Sequence, residues 1–141
     1  HRVLCEPRET SKLQSAMRDM RQRMRQHHSR HSGSDFDLKH DAGGIVDIEF
    51  LCQYLVLKFA HQTPALTRHR GNLRILSELA ASGGIASETA KTLSDTLAQY
   101  LSKENELKLG RRKALLPETA FAPEREAIQR LWREHLEHTS P

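Results

Sequence analysis

An all-α fold, a bundle of about five helices that is mostly up-and-down, is what this 141-residue sequence predicts. Three observations predict it. Leu, Ala, Glu and Arg dominate while Gly (7) and Pro (5) are few, a mix that favours helix over strand. Apolar residues recur at intervals of three and four along separate segments, and no stretch of useful length alternates with the strand period of two. Clusters of Gly, Pro and Ser fall between those segments as punctuation. The length suits one domain, so residues 1–141 are read as a single helical unit. With 37% hydrophobic and 28% charged residues it can bury one core and keep a charged surface. The chain opens on His1 and not on Met, so it is expected to be a part of a longer or processed protein.

Taken in order, residues 8–29 carry Leu13, Met17, Met20 and Met24 at spacings of 4, 3 and 4, a helical stripe with charged flanks. "HHSRHSGSD" breaks that period, and residues 30–44 read as a loop. Residues 45–61 form the central helix. At about 100° per residue its polar side chains gather in two narrow seams, Asp47/Lys58/His61 and Glu49/Gln53, with apolar residues between them, so it is expected to be covered on most sides. Pro64 stops it. A third helix over 71–81 has Leu73, Leu76, Leu79 and Ala80 as its core face and closes on Ser82-Gly83-Gly84. The fourth, 87–109, has Ser87 as its expected N-cap, a core face of Ala90, Leu93, Leu97, Tyr100, Leu101 and Leu107, and Gly110 as its end. "RRKALLPETAFA" reads as irregular. The fifth helix, 123–138, starts with Pro123 in its first turn beside Glu124 and Glu126 and buries Ile128, Leu131, Trp132, His135 and Leu136.

Charge and cysteine usage narrow the classes. No apolar run reaches the roughly 18 residues of a membrane span, and no secretory signal is present, so no membrane partner is expected. Cys5 and Cys52 lack metal-ligand spacing, and Cys52 reads as a buried thiol suited to a reducing cytoplasm. His27, His28 and His31 have no Cys or carboxylate spaced to complete a metal site, so no metal is assigned. The net charge of +4 is uneven: residues 1–31 hold eight Arg/Lys against three acids. Such a helix either presents a solvated basic face or meets an acidic partner or nucleic acid. Few aromatics for base stacking and no helix-turn-helix spacing weigh against nucleic acid.

The segment "LKHDAGGIVDIEFLCQYLVL", residues 38–57, carries the chemistry. Asp47 and Glu49 stand in the first turns of the central helix, where acids complement exposed N–H groups and the helix dipole, each worth roughly 0.3–1 kcal/mol. That structural role explains them without any function. The functional reading uses the same physics. Gly43 and Gly44 allow close approach to the backbone, and free N–H groups at the helix start can receive a phosphate. Lys39 and His40 add positive charge upstream, and Asp41 can hold a metal-bound water or position a hydroxyl. The glycine doublet alone matches neither the dinucleotide fingerprint nor a P-loop.

The stretch "FDLKHDAGGIVDIEFLCQYLVLKFAH" resembles the signature following the nucleotidyltransferase module in the glutamine synthetase adenylyltransferase (glutamate–ammonia-ligase adenylyltransferase) family. Its core is Lys39, Asp41, Gly43, Gly44, Ile45, Asp47, Ile48, Glu49 and Phe50. The likeness extends back through "MRDMRQRMR" and forward through "LTRHRGNLRILSELA" and "FAPEREAIQRLW". The resemblance implies a large bacterial enzyme of two similar halves, each a nucleotidyltransferase domain followed by a helical bundle. One half moves AMP from ATP onto a tyrosine of glutamine synthetase, and the other removes it by phosphorolysis. A PII signalling protein and glutamine report the nitrogen state. Asp47, the "QYLVL" run, the short tail after Trp132 and Val46 in place of an Arg resemble the C-terminal, adenylylating half.

The departure from the family's catalytic pattern sets a limit. AMP transfer there uses Mg²⁺ held by a D-x-D pair and a third Asp on a sheet after a Gly-Ser turn. Here "GSDFDL" imitates the spacing with Asp35 and Asp37 after Gly33-Ser34, but in a loop between helices. The resemblance therefore implies that Mg²⁺ and ATP are bound mainly by a nucleotidyltransferase domain outside this chain, that no cofactor or catalytic residue lies within it, and that it does not catalyse alone. Lys39, His40, Asp41, Gly43, Gly44, Asp47 and Glu49 are then expected in an active-site wall facing that domain. The alternative is a non-catalytic helical interaction module, binding nucleic acid through the basic first helix.

Overall fold

The computed structural model describes residues 7–28, 35–59 and 71–137. The expected end of the central helix at His61, its stop at Pro64, the side chains of His27 and His28, and His31 lie outside the described residues. Five helices form the bundle: α1 Pro7–His28, α2 Ile45–Phe59, α3 Asn72–Ala81, α4 Ser87–Leu109 and α5 Ala122–Trp132, the last continuing into a π-helical turn, Arg133–Glu137. The all-α expectation holds, with one addition. Two-residue strands β1 (Phe36–Asp37) and β2 (Leu115–Leu116) pair antiparallel, Phe36 opposite Leu116. They lie in the two stretches read as loop and irregular chain. Strands this short hold no alternation for a period to show, so only the burial of Phe36 and Leu116 gives them a reason to pair.

Helix α2 is central, touching α1, α3, α4 and α5. Eight of its side chains are buried, Ile45 to Ile48, Leu51, Cys52, Tyr54 and Leu55, while Glu49 and Gln53 form the expected exposed seam. The second seam is not a solvent seam. Asp47 is buried, and Lys58 lies half-buried over the rings of Tyr54 (5.7 Å) and Phe59 (5.3 Å), a cation–π arrangement. Cys52 is wholly buried, and desolvation pushes its thiol up to about 12.

Three packing faces differ from expectation. On α1, Met17 is buried but Met20 is 49% exposed, and the inward positions go to Gln14 and Arg21 instead. That interface is polar because α1 lies against carbonyls: Gln14 Nε2 donates to His135 O (2.7 Å), and Arg18 donates to Leu136 O. On α3, Ile75 joins Leu76 and Leu79 in the core, whereas Leu73 is exposed. On α4, Leu101 is exposed and Thr96 buried, and Ser87 is the first helical residue behind Ala86, with no side-chain cap bond.

Gly83 takes the left-handed step after α3 (φ 80), and Gly84 N–H closes the helix onto Leu79 O (2.8 Å). After α4 the left-handed residue is Arg111 (φ 54), not Gly110. Pro123 sits in the first turn of α5 as expected. The widened π turn replaces the last α-helical turn expected there, and it supplies the two carbonyls that α1 grips.

Candidate functional site

The chain from Asp37 to Asp47 is a tight, internally bonded corner. The Asp37 carboxylate accepts the N–H groups of Lys39 and His40 (both 3.0 Å) and lies 3.4 Å from His40 Nδ1. The Asp41 carboxylate accepts Asp37 N–H (2.8 Å) in return. Side-chain oxygens satisfying nearby backbone N–H groups are how Asp builds turns. Every backbone N–H from Gly43 to Val46 has a protein acceptor: Asp47 Oδ2 for Gly43 (2.7 Å), Asp41 O for Gly44, Leu38 O for Ile45 and Lys39 O for Val46 (each 2.9 Å). The helix start expected to offer free N–H groups to a phosphate is thus already capped by its own loop.

The glycines serve a close approach within the protein itself. A Cβ on Gly43, which has φ 83, would lie 2.7 Å from the Arg125 carbonyl oxygen, and one on Gly44 would run into the Leu38 carbonyl. Two helices hold the turn from outside. Tyr100 of α4 donates to Gly43 O (2.8 Å), and Gln129 of α5 donates to Ala42 O (3.2 Å). Arg125 of α5 stacks its guanidinium 3.9 Å from the Phe36 ring centroid. Burial, with Glu124 adding to it, raises the Tyr100 hydroxyl pKa strongly, so the group stays a proton donor.

Asp47 is the keystone. Only 2% exposed, it gives Oδ2 to Gly43 and Oδ1 to Arg21 Nε of α1 (2.5 Å). Arg21, equally buried, donates through Nη2 to His40 O (2.5 Å). A guanidinium from the basic helix therefore locks both ends of the turn, and the pair is fully desolvated. The sequence seam that joined Asp47 with Lys58 missed this partner.

The outward side chains are different residues. Lys39 and Glu49 are exposed, and His40 and Asp41 are half-buried. Desolvation raises the Glu49 pKa, Glu104 of α4 pushes the same way, and Lys39 and His40 oppose. Lys39, His40, Glu49 and Glu104 therefore share one electrostatic neighbourhood beside the turn, while Gly43, Gly44 and Asp47 lie behind it as its support. As a magnesium site the corner does not fit. Both oxygens of Asp47 are committed to Arg21 and Gly43, and the Asp37 and Asp41 carboxylates hold the loop. Among the described residues no three His, Cys, Asp or Glu side chains gather as a metal cluster.

Residues 13–134 match the family model described as GlnD PII-uridylyltransferase. The chain belongs to this family. It is 41% identical over 138 residues to a bifunctional glutamine synthetase adenylyltransferase/adenylyl-removing enzyme of Nitrosococcus oceani, covering 98% of this chain and 14% of that protein. Proteins of the same description from Thioalkalivibrio sulfidiphilus (38%) and Pasteurella multocida (39%) match over 96% of this chain and 14% of their own length. The chain thus spans 14% of the length of these curated relatives. The likeness to glutamine synthetase adenylyltransferases read from the Lys39–Phe50 motif holds along 96–98% of this chain. No helix among its described residues is long and apolar enough to cross a membrane.

Sequence reasoning missed Arg21, Tyr100, Arg125 and Gln129, the four side chains that hold the corner. Only Tyr100 carried a signal, as the one aromatic in the expected core face of α4.

Proposed function

We propose that this chain is the helical bundle behind a nucleotidyltransferase domain, in an enzyme that moves AMP from ATP onto a tyrosine of glutamine synthetase and, in its other half, removes it. The supporting observation is 38–41% identity along 96–98% of the chain to proteins described by both activities. Val46 and Asp47 favour the adenylylating half. The bundle's work is positional. Arg21, Tyr100, Arg125 and Gln129 brace the turn, and the turn presents Lys39, His40 and Glu49 as part of the active-site wall. Lys39 faces the nucleotide phosphates, and Glu49 positions the neighbouring domain. ATP and Mg²⁺ are held by carboxylates of that domain, since those of this corner are engaged. Glutamine synthetase and a PII protein are the partners, and the setting is the cytoplasm. The bundle alone has no AMP-transfer activity.

The test compares Lys39→Ala/Glu49→Gln with the parent in the full-length enzyme, reading AMP incorporation into glutamine synthetase. Incorporation falls while the thermal midpoint holds. Unchanged incorporation would remove these residues from the wall, and magnesium-dependent AMP transfer by the 141-residue chain would overturn its supporting role. A nucleic-acid module working through α1 has less support, because Arg21 is buried and Arg18 and Arg21 each turn part of the guanidinium inward to internal acceptors, away from a surface a duplex could reach.

A further inference from the structure

Two adjoining cavities open where α1 lies against the end of α5 and the π turn. One, about 240 Å³, is walled by Arg18, Arg21 and Arg25 of α1 over Trp132. The other, about 260 Å³, shares Arg25, Trp132 and Glu137 and adds Arg133 of the π turn, with Asp47, whose charge Arg21 already neutralises, in its wall. Each has room for a phosphoryl group with several waters, a water occupying about 30 Å³ in the liquid.

Four guanidinium groups from α1 and the π turn thus line these two adjoining cavities, and the donors of Arg21 and Arg25 are only partly used. Arg18 gives one nitrogen to Leu136 O. Arg21 uses Nε on Asp47 and Nη2 on His40 O, but its Nη1 is buried without an acceptor among the described residues. The Nε of Arg25 is buried in the same condition. Arginine does not shed its proton, so these donors cannot be quieted by titration. Buried N–H groups without acceptors are costly, so such a site calls for an acceptor oxygen, and the crowding of positive charge favours an anion over water. Asp19 and Glu137 border the cavities from exposed positions, and among the described residues neither pairs with these arginines.

We propose that this niche is a binding site for a phosphate group, with Arg25 and Arg21 as its inner donors and Arg18 and Arg133 at its sides. Several forks converging on one small space suit an oxyanion with three or more acceptor oxygens better than a two-oxygen carboxylate. The inference does not rest on the docking role proposed above.

The test is calorimetric titration of the 141-residue chain with inorganic phosphate and, separately, with ATP, at constant ionic strength made up with chloride. Arg25→Gln removes the charge and keeps most of the side chain, with far-UV circular dichroism and the thermal midpoint read first to establish that the variant is folded, and Arg133→Gln, at an exposed position, probes the second wall. Losing one charge-assisted donor weakens binding by roughly tenfold or more. Arg74→Gln, at an exposed position of α3, leaves it unchanged, and Glu137→Gln tightens it by removing a negative rim charge. Phosphate binding that depends on Arg25 identifies a free anion as sufficient; ATP binding with that dependence, without phosphate binding, identifies a nucleotide as the source. Either outcome supports the site. No binding of either probe, binding indifferent to both arginines, or weaker binding in Glu137→Gln overturns it.

Discussion

Replacing Arg21 by Met removes a buried charge while keeping most of the side chain's length. Both members of the Arg21–Asp47 pair are 2% exposed, so solvent cannot take over for the lost partner. The variant would leave Asp47 with Gly43 N–H alone and strip His40 O of its donor. Breaking a buried ion pair on one side costs about 3–5 kcal/mol, because the remaining charge is stranded. At about 2–4 °C per kcal/mol for a domain near this size, the thermal midpoint falls by roughly 6–20 °C. Asp47→Asn keeps an acceptor for Gly43 and strands the guanidinium instead, at similar cost. In the double variant no charge is stranded, so its loss falls short of the summed single losses by about 2–3 kcal/mol, the upper range for coupled neighbours. Urea unfolding followed by far-UV circular dichroism measures all four states. A cost below about 1 kcal/mol for Arg21→Met, the value of a surface pair, or strict additivity in the double variant, would refute the buried clamp.

Two further outcomes follow from the same geometry. Gly83→Ala, at positive φ with open space around it, costs about 1–2 kcal/mol for the left-handed backbone. Gly43→Ala, at nearly the same φ but against the Arg125 carbonyl, adds about 1–3 kcal/mol of overpacking, and equal losses in urea unfolding would disprove the close contact. The pH dependence turns on His135, whose pKa is lowered from 6.5 by burial and then by Lys58, against Glu134. The native state holds it neutral, so its contribution is complete above 6.5 and is lost as pH falls from there through the folded value. Glu49, raised above 4.5, acts in the opposite sense, since the native state takes up its proton first and gains stability on acidification. His135→Gln keeps the backbone acceptor for Gln14 and flattens the loss of stability just below pH 6.5. An unaltered pH profile in that variant would contradict the buried neutral form.

Much of the fold was legible because helices announce themselves by period and punctuation. The bounds of α4 agree with expectation since Gly83-Gly84 and Gly110 bracket an uninterrupted apolar rhythm. The centrality of α2 showed in its near-continuous apolar run. The α1 face was misjudged by one position, Met20 for Arg21, because an Arg in a basic helix reads as solvated unless its partner is known. That partner, Asp47, lies 26 residues away and had its own sufficient local explanation as a helix-start acid. The π turn left no mark because a single widened turn preserves the spacing of Ile128, Leu131, Trp132 and Leu136. At the site, motif residues were found but not sorted. Which of them support and which face outward depends on Arg21, Tyr100 and Gln129, brought in from three other segments of the chain.

The central claim is that the braced corner turns Lys39 and Glu49 toward a neighbouring nucleotidyltransferase domain. Maleimide labelling of Lys39→Cys in a Cys5→Ser background tests it most directly, with Cys52 silent because it is wholly buried and its thiol sits at about 12. Peptide mass spectrometry would follow the labelling rate in the 141-residue chain and in the full-length enzyme. The account predicts fast labelling in the chain and marked protection in the full-length enzyme; equal rates in both would contradict it.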